Sequence, residues 1–256
     1  MKVKLILPSL VEAGSPLFRP IKYSLFPPLG LATLAAYLHP CDEAELADEH
    51  VETLRLDDAP ELVVIQTYIT NARRAYRYAD HYRARGAHVC LGGLHATALP
   101  DEAAAYCTAV VAGEGEACWP HVLADAEHGQ LKPVYRAGPD AFDMAAAPMP
   151  AFELLDIAKY NRLTVQTSRG CPHRCEFCAS SVMLTNRYEQ KPAAKVLAEI
   201  ARIREIWNQP FIEFADDNSF VDHAYWKNLL PALEGQGIRW FAETDLSVAN
   251  DGELLD

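Results

Sequence analysis

Basic residues are scarce in this chain of 256: 23 Lys and Arg stand against 35 Asp and Glu, a formal charge of −12. With no strong basic run, the composition argues against binding a nucleic-acid backbone. No stretch of eighteen apolar residues occurs, so no membrane-spanning helix is expected. The opening Met1-Lys2-Val3-Lys4-Leu5-Ile6-Leu7 is too short for a secretory signal and reads as a buried first strand. An odd count of seven cysteines without an export signal favours reduced thiols, and the expectation is a cytoplasmic protein. There is no internal repeat and no low-complexity tract. No G-x-G-x-x-G follows the first strand, which weakens a nicotinamide-binding reading. What is present is a half-hydrophobic chain, long enough for one large or two ordinary domains.

To about residue 130, short apolar runs alternate with amphipathic ones. Strands are expected at Val3–Leu7, Glu43–Asp48, Leu62–Ile65, Ala87–Leu91 and Thr108–Ala112. Helices are expected at Leu29–Leu38, Ala72–Arg85, Ala103–Cys107 and Glu116–Glu127. A Pro-, Gly- and aromatic-rich loop fills Leu10 to Pro28. This order implies a Rossmann-like, doubly wound parallel sheet with helices on both faces, which binds ligands at the carboxyl ends of its strands. The unusual residues gather at those ends: Thr67-Tyr68, Gly92-Gly93-Leu94-His95-Ala96-Thr97 and Gly113-Glu114-Gly115-Glu116. Glycines there let a backbone approach a ligand closely, though glycines also simply end strands.

Pro133, Gly138, Pro139, Pro148 and Pro150 mark a linker between about 130 and 160, with a domain boundary near residue 140. The expected division is a first domain over 1–135, a linker over 136–160 and a second domain over 161–256. In the second half, strands are expected at Leu163–Thr167, Phe211–Phe214 and Ile238–Phe241, with helices at Lys191–Trp207 and Ala224–Leu233.

Between the first of those strands and the first helix lies Ser168-Arg169-Gly170-Cys171-Pro172-His173-Arg174-Cys175-Glu176-Phe177-Cys178-Ala179, with cysteines spaced C-x3-C-x2-C. Three thiolates on one loop past a strand end can face a common centre. Soft thiolates suit zinc, copper(I) or an iron–sulfur cluster. Structural zinc wants four protein ligands, commonly two separated pairs, and no second pair is nearby. A 4Fe-4S cluster on three cysteines keeps one iron open for chemistry. Cys41, Cys90, Cys107 and Cys118 are not spaced as ligands and read as small buried hydrophobes.

The triplet, with Phe177 in the aromatic place, resembles the signature of the radical S-adenosylmethionine superfamily. The first half resembles the cobalamin-binding domain that precedes the radical domain in one large subgroup. The pieces that carry this are Pro28-Leu29-Gly30-Leu31-Ala32, the Gly92-Gly93-x-His95 turn and Gly113-Glu114-Gly115-Glu116. The resemblance implies a 4Fe-4S cluster on Cys171, Cys175 and Cys178, with S-adenosylmethionine chelating the free iron. It implies a partial (β/α) barrel in the second half, and reductive cleavage to a 5′-deoxyadenosyl radical. Methylation of an unactivated carbon leads, with radical cyclisation or rearrangement as the alternative. The implied partners are a small-molecule or peptide substrate and an electron donor such as flavodoxin or ferredoxin.

By the same resemblance, Phe177, Asp216, Asp217, Asn218 and Glu243 are the candidates to contact S-adenosylmethionine. Thr244, Ser247, Ser180, Ser181 and Arg187 are weaker ones. Asp216, Asp217 or Asn218 could equally cap a following helix. Thr67, Tyr68, Gly92, Gly93, His95, Thr97, Gly113 and Glu114 are the candidates for cobalamin. One departure stands out. The usual Asp-x-His-x-x-Gly, whose histidine ligates cobalt, is absent from the first loop; Asp48-Glu49-His50 has only part of it, at the second strand. His50 reads as a surface or local hydrogen-bonding residue; His95 could be an axial ligand in principle but reads as a turn-stabilising or tail-contacting one. Only three strand–helix units of an expected six are present. That makes a truncated, non-catalytic cobalamin- or cluster-binding protein the second hypothesis. A structural zinc protein is the third.

Overall fold

A computed structural model describes residues 1–10, 26–138, 142–173, 175–178 and 187–255. The loop expected over Leu10–Pro28 therefore falls mostly outside the described residues, as do Ser180 and Ser181. The chain divides into two compact units: residues 1–142 with 148–159, and 143–147 with 160–256.

In the first unit, β1 (Lys2–Leu7), β2 (Glu43–Asp48), β3 (Leu62–Gln66), β4 (His88–Gly92), β5 (Ala109–Ala112) and β6 (Val134–Arg136) form one sheet. Its order is β2-β1-β3-β4-β5-β6, with every pair parallel. Helices α1 (Leu29–Ala35), α2 (Ala72–Arg83), α3 (Leu94–Ala98), α4 (Pro100–Ala104) and α5 (Gly115–Glu127) connect the strands. The doubly wound parallel sheet read from the sequence is what the chain forms. Strand alternation sorts the core. Val63, Ile65, Val89, Leu91 and Val110 pack with Ala75, Tyr76, Ala79 and Tyr82 of α2. Val64, Cys90 and Val111 look the other way.

β1 carries one charge into this core. Lys4 is 1% exposed, and its Nζ donates to Asp58 Oδ2 at 2.6 Å and to the Arg55 carbonyl at 2.8 Å. A buried ammonium is tolerable only when paired in this way. Glu49, just past β2, is the corresponding anion. It accepts from Ser9 N at 2.9 Å, Arg74 Nε at 2.7 Å and Tyr78 Oη at 2.5 Å. Burial opposes its ionisation, but Arg74, Tyr78 and Ser9 together hold it below the ordinary glutamate range. A depressed carboxylate contributes stability above its unfolded pKa and loses it as pH falls through the folded one. The wild-type unfolding midpoint should therefore drop as pH is lowered from about 5 towards 3. Glu49→Gln should flatten that decline; parallel denaturation curves for both proteins across the range would refute it.

The segment expected to be an irregular linker from about 130 contains β6, paired with β5 through Val110↔Val134 and Ala112↔Arg136. Three residues after a proline carry too little periodicity to be read as a strand. Three single-turn 3-10 helices follow, at Met144–Ala146, Phe152–Leu154 and Ile157–Lys159. Two smaller revisions concern cysteine and the fourth helix. Cys41 is exposed, whereas Cys90, Cys107 and Cys118 are buried. The helix expected at Ala103–Cys107 lies at Pro100–Ala104, because Pro100 suits a first helical position.

In the second unit, β7 (Leu163–Val165), β10 (Phe211–Phe214) and β11 (Arg239–Ala242) form a parallel sheet in the order β11-β10-β7. β8 (Ser168–Arg169) and β9 (Glu189–Gln190) pair antiparallel on either side of the cysteine motif. Helices α6 (Ala193–Ile206), α7 (His223–Leu233) and α8 (Gly252–Leu255) complete the described elements. Val196, Ile200 and Ile203 of α6 are fully buried, as the helical spacing requires. Phe214 meets the Trp226 ring edge-on at 5.2 Å, and Phe220 stacks on Trp226 at 4.3 Å. Asp222, not the Asp216–Asn218 stretch, caps α7: its carboxylate accepts from Tyr225 N at 2.9 Å.

Candidate functional site

The first unit has a cavity of about 150 Å³ at the carboxyl ends of β3, β4 and β5. Its floor is Val64, Cys90 and Val111; its sides are α1 and the start of α5, where Trp119 closes it. Trp119 Nε1 donates to the Leu34 carbonyl at 2.9 Å, tying the two helices together. The glycine turns form the rim, and Gly93 shows why only glycine serves. Its φ is +98°, and a Cβ there would lie 2.8 Å from the Thr67 carbonyl oxygen. Gly93→Ala should therefore cost about 1–3 kcal/mol. Gly30, whose Cβ would meet nothing, should accept alanine with no loss. Equal unfolding midpoints for Gly93→Ala and wild type would contradict this.

Of the eight expected cobalamin contacts, Gly92, Gly93 and Gly113 line the cavity. The others shape the turns. Thr67 Oγ1 donates to the Gly92 carbonyl at 2.7 Å and accepts from Ala96 N at 3.2 Å. Thr97 Oγ1 accepts from Gly113 N at 3.0 Å. Tyr68 Oη accepts from Gln66 Nε2 at 2.6 Å, and Glu114 precedes α5. His95 is buried with the α2 core, its Nε2 3.0 Å from Tyr76 Oη and 3.3 Å from Glu102 Oε1. Among the described residues, no histidine lines the cavity. His50 Nδ1 lies 2.9 Å from its neighbour Asp48 Oδ1, a local contact.

The residues fit a nucleotide-tailed, flat macrocycle. Glycines open the rim, the lining is mostly apolar with Gln66 and Glu116 as its polar side chains, and Gln66 Oε1 is buried without a hydrogen-bond partner among the described residues. Gln66, Leu34 and Trp119 were not among the candidates read from the sequence. Nothing in their spacing distinguishes them from core residues.

In the second unit, the cysteine motif leaves β8 through Gly170, whose φ is +79°. Cys171 and Cys178 are half-buried, Cys175 is exposed, and all three thiols are free. Cys178 N donates to the Cys175 carbonyl at 3.1 Å, closing a turn around Phe177, which is 92% exposed. Among the described residues, no group of three or more His, Cys, Asp or Glu side chains converges on one point. The fit to a cluster rests on the donor chemistry: three soft ligands within eight residues, on a loop anchored at its start.

That anchor is the stretch after β10. Asp216 is buried and accepts four hydrogen bonds: Thr167 N at 2.6 Å and Ser168 N at 2.9 Å on Oδ1, Thr167 Oγ1 at 2.6 Å and Ser219 Oγ at 2.9 Å on Oδ2. Burial pushes its carboxyl up, and these donors oppose the shift. Asp217 Oδ2 accepts from Gly170 N at 3.1 Å. Asn218 Nδ2 lies 3.9 Å from Cys171 Sγ. Glu243 is exposed, and its main-chain carbonyl accepts from Ser219 N at 2.9 Å. Thr244 Oγ1 donates to Asn218 Oδ1 at 3.2 Å, and Ser247 N donates to Asp245 Oδ1 at 2.6 Å. Arg187 pairs with Glu189 at 2.8 Å. Sequence reasoning passed over His173 and Asp245, which meet at 2.9 Å across 72 positions.

No family profile matches the chain. It is 29% identical over 238 residues to a bacteriochlorophyllide d C-12(1)-methyltransferase of Chlorobaculum tepidum, covering 90% of this chain and 52% of that protein. An uncharacterized methyltransferase of Synechocystis is 31% identical over 241 residues, covering 91% and 45%. The chain spans about half the length of the curated relatives it matches. Among solved structures, the cobalamin-dependent S-adenosylmethionine radical enzyme OxsB matches with a TM-score of 0.69 at 18% identity, over 91% of this chain and 37% of its own. The radical S-adenosylmethionine methyltransferase TsrM of Kitasatospora setae, solved with cobalamin and a [4Fe-4S] cluster, matches with 0.68 at 17%, over 91% and 52%. The chain is thus related to curated methyltransferases and has the fold of cobalamin-dependent radical S-adenosylmethionine enzymes, as its cysteine loop and glycine turns implied.

Proposed function

We propose that this relative of cobalamin-dependent radical S-adenosylmethionine enzymes binds cobalamin, a 4Fe-4S cluster and S-adenosylmethionine, and serves methyl transfer to an unactivated carbon of a small molecule. The observation that carries the reading is the pairing, in one chain, of a glycine-rimmed cavity at parallel strand ends with a C-x3-C-x2-C loop past a strand. When bound, the cluster would supply an electron, taken from an external donor, for cleavage of S-adenosylmethionine, and cobalamin would supply the methyl group.

The chain's own part is placement. Cys171, Cys175 and Cys178 would hold three irons and leave the fourth open. Asp217 and Glu243, both exposed near the loop, offer carboxylates for the ammonium of S-adenosylmethionine. Phe177, exposed on the loop, offers an apolar face beside the cluster. Gly92, Gly93 and Gly113, which line the cavity, would hold cobalamin by leaving the backbone open to it. No helix of the described residues is long and apolar enough to cross a membrane. The reading includes a cytoplasmic setting and a flavodoxin- or ferredoxin-type electron donor.

The test is anaerobic reconstitution of the full chain with iron, sulfide and hydroxocobalamin. The expected result is about four irons per chain and cobalamin that stays bound through gel filtration. S-adenosylmethionine and dithionite should then yield 5′-deoxyadenosine. One zinc and no iron, or cobalamin eluting free, would overturn the reading.

A further inference from the structure

We propose that Asn218 sets the position and reduction potential of the cluster by donating its side-chain amide N–H to the sulfur of Cys171, an assignment that rests on the cluster reading above. Asn218 is 4% exposed and sits just past the end of β10. Its amide orientation is settled by its neighbours. Oδ1 accepts from Thr244 Oγ1 at 3.2 Å and from Asp245 N at 3.3 Å. Nδ2 faces Asp245 Oδ2 at 2.6 Å and Cys171 Sγ at 3.9 Å. Flipping the amide would set a carbonyl oxygen against a carboxylate and a sulfur, and an NH2 against the Asp245 main-chain N–H. One amide hydrogen thus goes to Asp245 and the other points at Cys171.

The surrounding contacts make this donor stiff. Asp245 Oδ2 also lies 2.9 Å from His173 Nε2, two residues past Cys171, so a ring of contacts runs from the loop through Asp245 and Asn218 back to the loop. Asp216 and Asp217 grip Thr167, Ser168 and Gly170 immediately before it. Three consecutive side chains therefore hold the lead-in and first ligand of the cysteine motif. With both ends of its amide engaged, Asn218 serves the cluster side of the site rather than S-adenosylmethionine.

A hydrogen bond to a ligand sulfur stabilises the more negative, reduced cluster more than the oxidised one, which raises its potential. In anaerobically reconstituted full chain without S-adenosylmethionine, an electron-paramagnetic-resonance redox titration of Asn218→Ala should therefore shift the midpoint to more negative potential. The expected size is a roughly tenfold fall in the reduction equilibrium constant, about 59 mV for one electron. A purely packing role would lower stability and leave the midpoint where it is.

The second measurement needs no variant. Wild type carrying 15N in its asparagine side-chain amides should show a 15N hyperfine coupling to the reduced cluster. An unchanged midpoint in Asn218→Ala overturns the proposal. If that variant does not assemble a cluster, absence of the 15N coupling in wild type overturns it. Wild type that takes up no iron sinks this assignment and the functional reading together. A full cluster with no coupling sinks this assignment alone.

Discussion

Replacing Cys171, Cys175 or Cys178 by alanine is expected to strip the reconstituted protein of nearly all its iron and sulfide, and with them the formation of 5′-deoxyadenosine. The reason is the small donor set. A 4Fe-4S cluster on three thiolates already has one iron without a protein ligand, so a second missing bond leaves half of the irons unheld. Cys41 supplies the contrast: it is exposed, free and outside the motif, so Cys41→Ala should keep full iron content. Cobalamin retention should be the same in all four variants, because the cavity lies within the other unit. Equal iron and sulfide in wild type and Cys171→Ala would end the cluster reading.

Asp216→Ala is expected to be the most destabilising single substitution in the second unit, by about 3–5 kcal/mol. The carboxylate accepts from four donors, and Thr167 and Ser168 around it are fully buried. Removing it leaves two main-chain N–H groups and two hydroxyls without an acceptor, each with its own desolvation cost. Asp216→Asn keeps the shape but must turn its NH2 towards one pair of donors, so a loss of about half that size is expected. Chemical denaturation followed by tryptophan fluorescence reports the change, since Trp226 of α7 donates its indole N–H to the Ser219 carbonyl and Ser219 itself donates to Asp216. A wild-type midpoint for Asp216→Ala would show that those donors find other partners. The same substitution should lower iron uptake, because Thr167 and Ser168 lead into the cysteine loop.

How much of this was legible in the sequence depended on how local the information was. β2 and β10 begin and end where the apolar pattern placed them. α2, α5 and α6 each came within a few residues, because amphipathic spacing and the glycines at 86 and 129 are written in consecutive positions. Short elements escaped: β6, β8 and β9 have two or three residues each and exist through their pairing partners. Asp216-Asp217-Asn218 was legible as a polar stretch after a strand, suited to a ligand's ammonium or a helix cap. Its actual partners lie 47 to 49 positions away for the cysteine lead-in.

By itself the sequence determined the class of the fold and the placement of three soft donors on one loop. Strand and helix periods are properties of neighbouring residues, and the C-x3-C-x2-C spacing brings its soft donors onto one loop without help from the rest of the chain. Only the tertiary structure decided which side chains serve the site and which serve the scaffold. It turned His95 into the α2 core, made Gly93 obligatory through the Thr67 carbonyl, and set Asn218 against Cys171. Those assignments follow from strand register: β10 lies beside β7 with Phe214 opposite Val165, which carries the residues after one strand to the residues after the other. No local pattern encodes that neighbour.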